Sequence, residues 1–421
     1  MNLSRRDALR NLAYSTALFG LPAASMAGPG KSLPAASLAD SNADEYWKRI
    51  RAEQFLMPEE RAFLNTGSLG ITPRPVIESV KNYLDKAAAL HIEQGYPRWG
   101  YETLDEERAA LAEFVGTSKD ELAIVHNATE AMSIIIGGMP LERGDEVLIT
   151  DQEHPSGRDP WRVRELKGEI KLRTVDLPLP PDDPQQLVDT IVSAMTPKTR
   201  VVSFSGIMSP TGLLMPIREI CDAARARGIV SVVDGAHMTG QVDYAIDDMG
   251  CDYFAGSPHK WLFAPAGSGL LYIREERLDM HYPVIATASW DDHSMKAGRF
   301  MRFGTNNRAI IEGMMAGLAF AKAIGPDRIY ARIHELAKET YARAADLDYL
   351  HLLTPEDDSM YGSLVTFRID LPEAKLAKLW KLCDDRLIWT TENPQLRMST
   401  HIHTRREDLD LFFGTLAEAA A

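Results

Sequence analysis

The sequence predicts an α/β protein: a large domain with a mostly parallel sheet covered by helices on both faces, then a smaller α+β domain. Three observations carry that prediction. Short apolar runs and amphipathic helical patterns alternate from about residue 72 to 300. The runs are apolar at successive positions, as strands buried on both faces are. Polar residues gather just past their carboxyl ends, where open α/β sheets place ligands. The clearest run, 229–233, stops at Asp234. A second, 253–255, leads into Gly256-Ser257-Pro258-His259-Lys260-Trp261, and a third, 269–273, follows.

Residues 1–27 stand apart. Ser4-Arg5-Arg6-Asp7-Ala8 carries adjacent arginines, a moderately apolar segment follows over 12–21, and Ser25-Met26-Ala27 offers a small-x-small cleavage site. This layout predicts a twin-arginine signal peptide read by the Tat export machinery, and hence a periplasmic protein. That route carries folded proteins, so a bound cofactor can travel with the chain. Residues 28–43, rich in Ala, Ser, Pro and Gly, read as a flexible linker.

Composition excludes several function classes. The formal net charge of -14 at pH 7 argues against a nonspecific nucleic-acid binder, which needs a basic surface. No apolar run reaches the length of a membrane span. Cys221, Cys251 and Cys383 are too few, and odd in number, for a disulfide framework, and the first two read as small buried residues. There is no P-loop, no GxGxxG and no zinc spacing. His401-x-His403 is a metal-ligand pair without companions, so no metal is expected.

Taken in order, Asn65-Thr66-Gly67-Ser68-Leu69-Gly70 and Thr72-Pro73-Arg74-Pro75 form a punctuated loop ahead of a helix over about 76–92, and Tyr96-Pro97-Arg98-Trp99 stands where it could line an entrance. Strand 122–125 leads through His126-Asn127-Ala128-Thr129 to helical character at 131–137. A strand, a small-residue turn and a helix N-terminus make a phosphate seat, since free N–H groups and the helix dipole favour an anion. Strand 146–150 ends at Asp151-Gln152-Glu153-His154. Strand 201–204 precedes Ser205-Gly206-Ile207-Met208-Ser209-Pro210-Thr211-Gly212, and an amphipathic helix spans 217–226. Beyond Lys260, Arg302-Phe303-Gly304-Thr305-Asn306 precedes helices at about 308–323 and 327–347. Strand signals at 364–369 and 387–390 flank a helix over 372–383. Leu396-Arg397-Met398-Ser399 and a helix over 405–419 close the chain.

An aspartate at one strand end and a lysine beyond the next suit pyridoxal 5'-phosphate, which needs a lysine to anchor its aldehyde and an acid facing its pyridine nitrogen. On Asp234-Gly235-Ala236-His237 and Ser257-Pro258-His259-Lys260-Trp261, the chain resembles the class V aminotransferases, which are fold-type I pyridoxal-phosphate enzymes. The resemblance runs from about 45 to 417. It implies a seven-stranded type of sheet in a cofactor-binding large domain (72–300), a small domain (301–421), and a lead-in segment (44–71) packed with the latter. It also implies roles. Lys260 anchors the cofactor and then serves as base and acid at the substrate α carbon. Asp234 faces the ring nitrogen and His154 stacks on the ring. Ala128, Thr129, Ser257 and His259 bind the phosphate, with His237 near the phosphate or the phenolic oxygen. Thr305 reaches the phosphate of a neighbouring subunit, which implies a homodimer. Arg397 clamps a substrate carboxylate through its planar fork. Ser209 departs from the asparagine that many members use on the phenolic oxygen; its Ser-Pro-Thr context resembles the isopenicillin N epimerase-like branch.

This equipment leaves transamination, epimerisation, elimination and decarboxylation open. Cysteine desulfuration is disfavoured, because the loop over 354–362 has no cysteine and Cys383 falls in a helical pattern. With the export signal, the chain resembles the exported enzymes that tailor the glutamate of the siderophore pyoverdine. That glutamate is attached through its side-chain carboxyl, keeps a free α-amino and α-carboxyl group, and becomes a succinamide-type side chain. The alternative is an epimerase or aminotransferase acting on a free amino acid or short peptide. A noncatalytic binding module would be expected to have lost Lys260.

Overall fold

The computed structural model describes residues 32–89, 103–391, 393 and 395–421. The export signal (1–27), residues 28–31 of the linker and Tyr96-Pro97-Arg98-Trp99 lie outside the described residues.

A two-residue strand, β1 (Ala62–Phe63), comes first. The large sheet then takes β2 (Leu122–Val125), β3 (Asp145–Thr150), β4 (Ile170–Val175), β5 (Thr199–Ser205), β6 (Val230–Gly235), β7 (Tyr253–Gly256) and β8 (Gly269–Ile273), in the order β2-β8-β7-β6-β5-β3-β4. Only β8 runs antiparallel to its neighbours; the other pairings are parallel. The strands β2, β7 and β8 are buried at every position, whereas the edge strand β4 is mostly half-exposed or exposed. β2 is the opposite edge, and the segment His293–Met301 packs against it. The helix Ile217–Arg225 buries Ile217, Ile220, Cys221 and Ala224, one stripe at helical spacing. All three cysteines are free and buried.

The C-terminal sheet is β12-β10-β9, built from β9 (Leu350–Leu352), β10 (Leu364–Ile369) and β12 (Gln395–Ser399), all antiparallel. The run expected over 387–390 is only the two-residue β11 (Ile388–Trp389). It pairs in parallel with β1 rather than with this sheet. The lead-in segment spans both cores. Tyr46, Trp47 and Ile50 join the large cluster, whereas Ala62 and Leu64 join the small one.

Two boundaries differ from the sequence expectation. The segment read as a flexible linker contains a helix, Ala36–Ser41. Leu33, Leu38 and Ala39 pack on the large core and Asp40 pairs with Arg328, so the segment is held by contacts its composition does not announce. The large core also continues past residue 300. Ile311, Met314, Leu318 and Ile324 of helix Arg308–Ile324, with Ile329 and Ile333, belong to it, and so do Met360, Leu364 and Ile402 farther on; the second cluster claims Leu336 and most of the later core. A glycine allows this packing: a Cβ on Gly313 would lie 2.6 Å from Val80 of helix Arg74–Ala89. Among the described residues, no single helix is long and apolar enough to cross a membrane.

Candidate active site

The strand ends build the site. Register pairs Ser205 with Asp234 and Asp234 with Ala255, so the carboxyl ends of β5, β6 and β7 lie side by side. Ser257 follows β7, and a single helical turn, Pro258–Trp261, carries Lys260 back over them. The loop holding Gly70 lies against that turn: its N–H donates to the His259 carbonyl at 2.9 Å, and a Cβ there would sit 2.2 Å from the Lys260 carbonyl oxygen.

These elements enclose a cavity of about 270 Å³ lined by Ala128, Thr129, His154, Ser209, Asp234, His237, Ser257, His259, Lys260 and Arg397. Ten of the eleven residues singled out in the sequence therefore converge. Thr305 does not. It is exposed and does not line this cavity; its neighbour Asn306 instead meets His126 Nε2 at 3.0 Å.

Asp234 forms the floor. It is 5% exposed, its Oδ1 accepts from Ala236 N at 3.0 Å, and burial raises its pKa against the opposing charges of Lys260 and His154. Burial pushes Lys260 down to about 8, with Asp234 acting against that fall and Arg397 assisting it. An amine near 8 is partly free at neutral pH, as a nucleophile or base requires. Its Nζ lies 3.2 Å from His237 Nε2. Burial, then Lys260 and Arg397, hold His237 well below the ordinary imidazole value. His154 sits on the open side of the cavity, where its Nδ1 accepts from Ser156 N at 3.2 Å; burial and Lys260 hold it below its ordinary value.

At one end, helix Ala128–Gly138 points its N-terminus into the cavity, and its cap is Asn127, whose side chain accepts from Glu130 N. The helix thus starts three residues before the sequence pattern suggested. Ala128 N donates to Ser257 Oγ at 3.2 Å, and Thr129 Oγ1 donates to Ser156 Oγ at 2.9 Å. His259 Nδ1 faces the Ser268 carbonyl at 2.7 Å, which fixes its proton there and turns Nε2 to the cavity. At the other end, Arg397 donates to Ser209 Oγ at 2.6 Å, Ser68 Oγ at 2.9 Å and Asn65 Oδ1 at 3.4 Å. Its Nε is buried with no partner among the described residues.

Several contributors were not singled out from the sequence. Glu153, next to His154, is buried behind Asp234 and hydrogen-bonds Thr150 and Ser205. Ser156 was also passed over, and Ser68, Ser205 and Trp261 stood in quoted segments without a role of their own. Their signal was adjacency to a strand end or motif residue, which polar residues share throughout the chain. Both ring nitrogens of His401 are engaged, Nε2 with the Trp261 carbonyl and Nδ1 with Ile402 N, and among the described residues no group of three candidate metal ligands assembles.

The donor set fits pyridoxal phosphate. A buried carboxylate suits a pyridinium N–H, a depressed lysine suits an aldehyde, and a helix N-terminus with Thr129 and Ser257 suits a phosphate. Comparison with known proteins agrees. The family profile of class V aminotransferases matches residues 63–391. An isopenicillin N epimerase from Streptomyces clavuligerus is 32% identical over 387 residues, covering 86% of this chain and 96% of that one. A probable cysteine desulfurase from Pyrococcus abyssi is 24% identical, covering 86% and 95%. A solved structure of a C-DES mutant with glycine covalently linked to its PLP cofactor superposes with a TM-score of 0.75 at 25% identity, covering 86% of this chain and 97% of that one. The chain belongs to the class V aminotransferase family, whose members are fold-type I pyridoxal-phosphate enzymes.

Proposed function

We propose that this enzyme acts on the α-amino group of a substrate bearing a free α-carboxylate, and that the substrate is the glutamate of maturing pyoverdine, converted to a succinamide-type side chain after export to the periplasm. The observation that carries the first part is the placement of Lys260 and the Arg397 fork on one cavity of about 270 Å³. The siderophore assignment is supported by the twin-arginine pattern at Arg5-Arg6 and by the chemistry of a side-chain-linked glutamate, which keeps both groups that this pair would recognise.

Pyridoxal phosphate supplies an aldehyde for the substrate amine and an electron sink for charge developing at the α carbon. The chain does the rest. Arg397 binds the carboxylate bidentately and so orients the α carbon. Lys260 Nζ is placed to take the α proton. Conversion to the succinamide further releases the carboxylate as carbon dioxide and needs molecular oxygen as oxidant, one oxygen atom ending in the amide and the other in water. Asp234 would hold a proton on the ring nitrogen of the bound cofactor, and His154 would lie against its ring. Ala128, Thr129, Ser257 and His259 hold the phosphate end. In the proposed homodimer, Thr305 serves the neighbouring subunit's site, which accounts for its exposure here.

A second reading, an epimerase on a free amino acid or short peptide, is favoured by the 32% identity to an isopenicillin N epimerase. One experiment separates them. Absorbance spectra of purified wild type and Lys260→Ala are recorded with the cofactor, then with pyoverdine precursor and, separately, with free glutamate. A yellow band that is altered in the variant and shifts with the precursor supports the proposal. A band that ignores the precursor but answers a free amino acid sinks the siderophore assignment.

A further inference from the structure

Trp261 follows Lys260 directly, yet the chemistry above leaves it idle. It is fully buried, and its indole Nε1 lies 3.4 Å from His237 Nδ1. An indole N–H is a donor only, so His237 Nδ1 must accept. A neutral imidazole has one N–H, which then sits on Nε2. Nε2 is the atom 3.2 Å from Lys260 Nζ. An ammonium group has donors and no lone pair, so an N–H pointing at it finds an acceptor only when the amine is neutral.

We propose that Trp261 is a positioning residue that fixes the tautomer of His237, so that the imidazole presents Nε2–H to the Lys260 amine and favours that amine's neutral, proton-accepting form.

The surroundings are built to hold this arrangement. The Trp261 ring stacks on His401 at 5.8 Å between centroids with planes 22° apart. His401 Nε2 donates to the Trp261 carbonyl at 3.1 Å, while its Nδ1 accepts from Ile402 N at 2.8 Å. Gln241 Nε2 donates to the His237 carbonyl at 2.5 Å. The opposite tautomer would set the buried Trp261 N–H against another N–H, leaving a buried donor unsatisfied. Burial keeps His237 neutral, as its lowered pKa requires. The charged and titratable groups facing the pair are Asp234 from β6, His154 from beyond β3, Arg397 from β12 and His259 from the same turn. Asp234 alone favours the ammonium form, so the hydrogen bond from His237 opposes it.

The inference rests on Lys260 being the reactive amine, and its test is separable from that reading. Full-length, cofactor-free protein carrying ¹⁵N-histidine is examined by NMR, with His237 assigned from His237→Gln. The expected spectrum shows His237 protonated at Nε2. Amine labelling at Lys260 by trinitrobenzenesulfonate is then followed against pH, read by mass spectrometry. In Trp261→Phe, His237 is free to turn its bare Nε2 to an ammonium, so the Lys260 midpoint rises by about one unit and labelling at pH 7 slows about tenfold. A wild-type His237 protonated at Nδ1 overturns the proposal, as does an unchanged Lys260 midpoint in folded Trp261→Phe. Should that variant not fold, the wild-type tautomer alone decides. A protein with Nε2–H that never develops a cofactor band refutes the pyridoxal reading and leaves the tautomer assignment standing.

Discussion

Glu153→Gln offers a quantitative test of the acid pair beneath the cavity. Glu153 Oε1 accepts from Thr150 Oγ1 at 2.6 Å and from Ser205 N at 3.3 Å, and Oε2 accepts from Ser205 Oγ at 2.7 Å. Those bonds favour the carboxylate, but complete burial outweighs them and the Asp234 charge adds to it, so the group is pushed up from 4.5 to about 7. A pKa raised in the fold means the protonated form is the one the fold prefers. That stabilisation is full below about pH 4.5, the value in the unfolded chain, and is lost as pH rises through about 7. Between pH 5 and pH 8 the wild type should therefore lose about 2.5 kcal/mol on this account. For a chain of 421 residues, an unfolding entropy of about 0.9 kcal/mol/K turns this into about 3 °C, provided it unfolds as one unit. Glutamine is uncharged throughout and removes the slope. Calorimetry of the cofactor-free protein should show the melting temperature of Glu153→Gln gaining about 3 °C on wild type from pH 5 to pH 8. A gap that does not change with pH, or that moves the other way, refutes the claim that Glu153 ionises inside the fold at a cost.

Three further outcomes follow from the geometry. Arg397→Lys replaces a fork by a point charge, so kcat/KM on whichever amino acid shifts the spectrum should fall about 10- to 100-fold while the fold, read by circular dichroism, is kept. Asp408→Ala removes the partner that Arg51 meets at 3.2 Å, both side chains being buried, and should cost about 3–5 kcal/mol in thermal unfolding without altering the cofactor band. Gly70→Ala drives a Cβ to within 2.2 Å of the Lys260 carbonyl; the turn must shift, and titration with pyridoxal phosphate should show affinity about 10- to 100-fold weaker.

The sheet was legible because most of its strands bury nearly every residue, which writes an apolar run ending at a polar residue; β2 and β8 have the bounds the sequence suggested. Helix starts were less legible. Asn127 and Thr129 are both residues that cap helices, and only the fold shows that Asn127 does so. The linker was misread because composition reports what a segment lacks, whereas Asp40 and Leu38 find partners supplied by distant elements. The same limit hid Glu153 and Trp261. A glutamate beside a motif histidine is unremarkable in sequence, and its meaning comes from β5 bringing Ser205 against it and β6 bringing Asp234. Pairing of β11 with β1 joins residues more than 300 apart and left no local trace.

The serine at 209 shows how such distant contacts change what a departure means. Set against the family's asparagine, it reads as a weakened hydrogen bond to the cofactor. In the fold its hydroxyl accepts from Arg397 Nη1 at 2.6 Å, beside Ser68 and Asn65 on Nη2. Arg397 is thereby held by three neutral acceptors from two separate loops, so little side-chain freedom remains to be lost when a carboxylate arrives. A carboxylate adds a full opposite charge and two acceptor oxygens to the fork, which the hydroxyls and the amide lack, so exchange for the substrate is downhill. A substrate amide brings no charge and would gain little from the exchange. On the proposed reading Ser209 works on the carboxylate end of the site, and a preference for a free α-carboxylate would follow from how Arg397 is held rather than from the presence of an arginine alone.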